Sequence, residues 1–231
     1  MDRPVMTPET RDRAAAWGIT AYSAPHRWQA SLAVVATLVL YETLPGKLQV
    51  GPWWIVPALE LALVLPLALT GRQHVGPRWE RPVAVTLIAV ANAVNVVSLA
   101  LLVHFLILGG GRGIGSQLLI ESIKVWLTNV LAFALWYWEL DRGGPRARGL
   151  PEHREPAFLF PQMSTPGCAP THWAPHFADY LYVSFTNATA FSPTDTMPLT
   201  RGAKMLMLIQ ALASLLTIAL VAARAVNILT T

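Results

Sequence analysis

Charge is scarce along this chain. Aspartate, glutamate, lysine and arginine make up 13% of its 231 residues, about half the share found in ordinary soluble domains. Cysteine occurs once, at Cys168, which excludes an internal disulfide. The six histidines form no cluster with metal-ligand spacing. His172 and His176 lie four apart, but Pro175 between them breaks a common helical face, so no metal and no other cofactor is expected. The run GGGRGIG at 109–115 joins two apolar stretches and lacks the strand–helix setting of a phosphate-binding loop. A formal charge of +4 is small, and the basic residues flank apolar runs, which fits membrane topology and not nucleic acid. No nucleophile–base pair stands out, so enzymatic activity is not expected.

Long apolar runs are what the chain has instead, with 54% of its residues hydrophobic. They cover residues 29–44, 53–70, 83–108, 117–140 and 203–229. A membrane-spanning helix needs about 20 mostly apolar residues, so five spans are expected, of which the first is shortest. The predicted fold is an all-α, multi-pass membrane protein whose first partner is the lipid bilayer. Residues 1–28 carry four arginines and no apolar core and read as an aqueous arm. Residues 29–116 read as a three-helix transmembrane region, and 117–231 as a second unit.

That second unit has a distinctive order. After the helix at 117–140 comes a long connection, 141–175, rich in proline and glycine and expected to be structureless apart from Phe158, Leu159 and Phe160, which should pack down. Then HFADYLYVSFTNATAF begins at His176. It is aromatic and apolar but too short to span, so a re-entrant helix and loop are expected over 176–197, followed by a full span over 200–229.

Residues 120–229 resemble the pore module of tetrameric potassium-type cation channels: outer helix, pore helix, filter loop, inner helix. Ser184, Phe185, Thr189, Asp195, Pro198 and Thr200 stand where that family's pore consensus places them. Separately, LWYWELDRGGP, FLFPQM and DYLYVSFTNATAFSPTDTMPL resemble a group of bacterial integral-membrane proteins with no established activity. The first likeness implies a homo-oligomer, a tetramer, conducting monovalent ions across the cell (inner) membrane.

The filter itself departs from that family. Thr189, Ala190, Phe191, Ser192, Pro193, Thr194 and Asp195 are the filter-like residues, and the Gly-Tyr-Gly of a potassium filter is replaced by Ser192-Pro193-Thr194. Stacked backbone carbonyls replace an ion's hydration shell, and glycine supplies the backbone angles they require. Pro193 fixes φ near −65° and pushes Ser192 towards extended backbone. A potassium filter therefore cannot form, and what is left is a turn rich in hydroxyls beside the Asp195 carboxylate, suited to hydrated cations. The same turn could merely cap the last span through Asp195 or Thr200.

On that last span Gln210, Ser214, Thr217 and Arg224 share one helical face. The face could line a pore or form a helix–helix seam. Three further charges lie within apolar runs. Glu121 and Lys124, three apart, are expected to pair with each other. Glu60 has no partner in its own helix and could meet Lys124 or Arg224. Asn92 and Asn95 are expected to join helices.

With five spans, thirteen basic residues fall on the side of the 141–175 connection and three on the other. The excess of lysine and arginine marks the cytoplasmic side. The composite expectation is a weakly selective cation pore whose re-entrant loop dips from the cytoplasm. The alternative is a non-conducting protein, a small-solute transporter or an interaction scaffold, that keeps the pore-module fold.

Overall fold

A computed structural model describes residues 28–49, 54, 56–58, 79–107, 115–148, 155–165, 167, 173–189 and 195–229. Four helices longer than two turns come from the apolar runs: α1 (Trp28–Glu42), α2 (Glu80–Ile107), α3 (Gly115–Leu140) and α7 (Arg201–Leu229). Between α3 and α7 lie a 3-10 turn (Asp141–Gly143), the one-turn helices α4 (Pro145–Arg148) and α5 (Pro161–Ser164), and strand β1 (Phe158–Leu159). The helix α6 (Phe177–Thr189) and strand β2 (Met197–Pro198) complete the order.

Three of these helices, α2, α3 and α7, are long and apolar enough to cross a membrane. Three of the five expected spans thus have such a helix among the described residues. α1 has 15 residues, about 22 Å at 1.5 Å per residue, against a hydrocarbon core of about 30 Å. Its last turn is followed by Leu44, Pro45 and Gly46, and proline cannot continue a helix. Most of the expected span at 53–70 lies outside the described residues.

α3 is the centre of the fold and packs against α1, α2, α6 and α7. Its second half is buried nearly all round through Val130, Ala132, Phe133, Ala134, Leu135, Tyr137 and Trp138, as expected of a helix apolar on every face. α7 is the opposite case. Met205, Leu208, Ile209, Leu212, Leu215, Leu216 and Ile218 are all exposed, a surface suited to lipid or to another copy of the chain.

Within the 141–175 connection the described residues, 141–148, 155–165, 167 and 173–175, form turns, one-turn helices and a strand, so more of it than Phe158–Phe160 packs down. Its proline and glycine build turns, and its aromatics build a core. Phe158 and Phe160 are buried and meet Tyr180 edge to face, with ring centroids 6.2 and 5.4 Å away. β1 pairs antiparallel with β2, Phe158 opposite Pro198 and Leu159 opposite Met197.

Candidate functional site

The site is the segment between α3 and α7, and its geometry follows from how α6 is held. At 13 residues, α6 is about 20 Å long, too short to cross. It starts beside the end of α3, where the rings of Phe177 and Tyr180 stand edge to face on Trp138 at 6.0 and 5.5 Å. Further along, the Ser184 hydroxyl donates to the Val130 carbonyl at 2.6 Å and Phe185 meets Trp126 edge to face at 5.7 Å. Trp126 lies 15 residues before Asp141 on the α3 side, so α6 descends about 20 Å along α3. The chain then returns to where it began. β2 pairs with β1, Leu199 N–H donates to the Ala157 carbonyl at 2.8 Å, and Ala157 N–H donates to Asp141 Oδ1 at 2.7 Å. α6 thus enters and the chain leaves at the same end of α3.

The later half of α6, its deep end measured from its start, is held by neutral polar groups. Gln210 is wholly buried. Its Oε1 accepts from the Tyr137 hydroxyl at 2.5 Å and from Asn187 Nδ2 at 2.8 Å. Its Nε2 donates to the Ser184 carbonyl at 2.9 Å and to Ser184 Oγ at 2.7 Å. Asn187 also donates to the Met207 carbonyl at 2.9 Å. One turn on, Asn129 donates to Ser214 Oγ at 2.8 Å, and Thr217 donates to the Ala213 carbonyl of its own helix. Gln210, Ser214 and Thr217 therefore share a face, and it is buried inside the chain against α3 and α6. Arg224 continues α7, but its side chain lies outside the described residues.

The start of α6, its shallow end, is held by a carboxylate. Asp141 is buried, and its Oδ2 accepts from the Tyr180 hydroxyl at 2.5 Å. Burial raises the Tyr180 hydroxyl well above its ordinary pKa, so it stays protonated and donates. Arg148 closes the end of α3 by donating to the carbonyls of Trp138 at 2.8 Å and Asp141 at 3.0 Å, groups that a helix terminus leaves without partners. Its guanidinium lies 4.2 Å from the Trp138 ring centroid and 5.4 Å from that of Tyr180, a favourable cation–π position. The chain reverses at Arg142, Gly143 and Gly144, all with positive φ. Gly144, at φ 92 and ψ 176, is in a region that only glycine adopts readily.

Of the filter-like residues, Thr189 ends α6 and donates to the Thr186 carbonyl at 3.1 Å. Ala190, Phe191, Ser192, Pro193 and Thr194 lie outside the described residues. Asp195 is exposed and accepts from the Thr196 hydroxyl at 3.4 Å. The cap of α7 is Thr200, whose Oγ1 accepts from Ala203 N–H at 3.2 Å, so Asp195 is not needed for that role. Lys124 meets Glu121 at 3.1 Å and donates to the Thr43 carbonyl just past α1 at 2.8 Å. Glu60 lies outside the described residues.

Sequence reasoning missed the cluster of Asp141, Arg148 and Tyr180. Its signal is the string ELDRGGPRAR directly after an aromatic apolar run, too many charges and glycines for a simple helix end. Among the described residues no group of histidine, cysteine and carboxylate side chains could hold a metal ion. Compared with models of known families, with curated proteins and with solved structures, the chain matches none.

Proposed function

We propose that residues 115–229 form the subunit of an oligomeric cation pore, a tetramer, in the cell (inner) membrane, with residues 189–195 as its constriction. The observation that carries this reading is the short helix α6, clamped between α3 and α7 with its start and the chain's return at one end of α3. A helix ending at membrane depth leaves carbonyls without intrahelical partners and carries partial negative charge there. Such groups are tolerated only against protein or water, and several copies around an aqueous path provide both. α2, α3 and α7 cross the membrane. The polar stripe of α7 seats α6, so the pathway falls to the 189–195 loop and to the outer face of α7.

Without filter glycines, selectivity among monovalent cations is weak. Purified protein in liposomes should pass sodium and potassium at rates within about threefold of each other, since no carbonyl ladder distinguishes them. Asp195→Asn should reduce the preference for cations over anions. A stable monomer in mild detergent, or liposomes as tight as empty ones, would remove the pore.

The second reading is a non-conducting protein with the same module. It is favoured by Gln210, Ser214 and Thr217 being closed inside the chain, where they contact no aqueous path. A closed oligomer that passes no ion would select it.

A further inference from the structure

Two hydrogen bonds to one carboxylate tie together both ends of the re-entrant segment. Asp141 Oδ2 takes the Tyr180 hydroxyl, four residues into α6. Asp141 Oδ1 takes Ala157 N–H, and the Ala157 carbonyl takes Leu199 N–H just past β2. One side chain therefore links the start of α6 to the backbone that pairs with the β2 return. We propose that Asp141 is the positioning residue that sets how α6 and the β2 return face each other, and through them tunes conduction in the proposed pore. The proposal rests on the pore reading for its functional consequence but not for its geometry.

Three features make Asp141 suited to this. It follows directly on α3, the most buried helix, so its backbone is fixed. Arg148 fixes it further by binding the Trp138 and Asp141 carbonyls from below. Its carboxylate is almost fully buried, so water does not compete for the two donors, and bonds to an ionised acceptor are stronger than neutral ones. The deep network around Gln210 lacks this property: it seats α6 on α7 but has no bond to the return strand.

The test uses the full chain with Cys168→Ser and a reporter, Thr196→Cys, at a buried position on the return. In proteoliposomes the reporter should react slowly with a water-soluble maleimide. Asp141→Asn should raise that rate about tenfold, as expected for loss of one charge-assisted hydrogen bond. Tyr180→Phe, which keeps the ring packing, should raise it by a smaller factor and serves if Asp141→Asn does not fold. Asp141→Glu should restore part of the protection. In reporter-free protein, Tyr180→Phe should shift the sodium-to-potassium flux ratio without lowering the yield of oligomer, which loss of stability alone would not do. An unchanged labelling rate in folded Tyr180→Phe and Asp141→Asn overturns the positioning role. Accelerated labelling in a protein that passes no ions keeps the clasp and removes the pore. A wild-type flux ratio in Tyr180→Phe keeps the pore and overturns the role of Asp141 in shaping it.

Discussion

The two ends of α6 are held by different chemistry. At the shallow end the acceptor is a carboxylate with an arginine beside it and glycines beneath. At the deep end every group is neutral: an amide, two hydroxyls and a second amide around Gln210. On the re-entrant reading the difference follows the solvent. A charge at bilayer depth costs several kcal/mol unless it is paired, whereas a neutral amide with all its hydrogen bonds made costs little. Near the end of a span water and headgroups are close, and a carboxylate can give stronger and more directional bonds. The deep network therefore secures stability, and the shallow clasp secures shape.

The largest test of this division is Gln210→Leu. It preserves volume but strips partners from Tyr137, Asn187 and Ser184 in a place water cannot reach. With four hydrogen bonds lost at about 0.6–1.7 kcal/mol each within a membrane, the variant should lose about 2–7 kcal/mol, read as a lower unfolding temperature in detergent. Gly144→Ala should cost about 1–3 kcal/mol, because alanine at this backbone geometry is strained and its Cβ would fall 2.6 Å from Glu139 Oε2. Asp141→Asn should cost less, about 1–2 kcal/mol, because the amide keeps one acceptor and loses the charge. If Asp141→Asn proves more destabilising than Gln210→Leu, the division of roles fails.

The smallest expected effect is one of pH. Asp179, in the first turn of α6, accepts the His176 N–H at 2.6 Å. Burial nevertheless raises its carboxyl above the ordinary 3.8, against the opposing hydrogen bond and charge of His176. A raised folded-state value means that the native protein binds the proton more tightly than the unfolded chain. Its contribution is fully present below the unfolded value and is lost as pH rises through the folded value. Asp179→Asn should flatten that acidic slope of unfolding temperature against pH; an unchanged slope would assign it to another group.

Much of this arrangement is legible from residue order. The three helices long and apolar enough to span a membrane fall within a turn of the apolar runs, the short α6 follows from its length, and Glu121 and Lys124 pair as their spacing implies. Helical periodicity also puts Gln210, Ser214 and Thr217 on one face. What it cannot say is what that face meets, because a pore lining and a buried seam use the same small polar residues. The clasp was illegible for another reason. Asp141 finds Tyr180 39 residues away and Ala157 16 residues away, and no local pattern encodes contacts across a proline-rich connection. α1 was overread because apolar composition runs on through Leu44 while the helix stops at Glu42.

The re-entrant course of α6 is the claim on which the rest depends, and sidedness tests it directly. Cys168 precedes α6 and Leu199 follows it. In intact cells a membrane-impermeant maleimide is applied to the wild type, and to Cys168→Ser carrying Leu199→Cys, before and after permeabilisation. On the proposed topology the side of the 141–175 connection carries most of the arginines, and such an excess marks the cytoplasmic side, so both cysteines should stay unlabelled until the membrane is opened. Labelling of both before permeabilisation would invert the protein and leave α6 re-entrant. Labelling of one but not the other would mean that α6 crosses the membrane and would contradict the account.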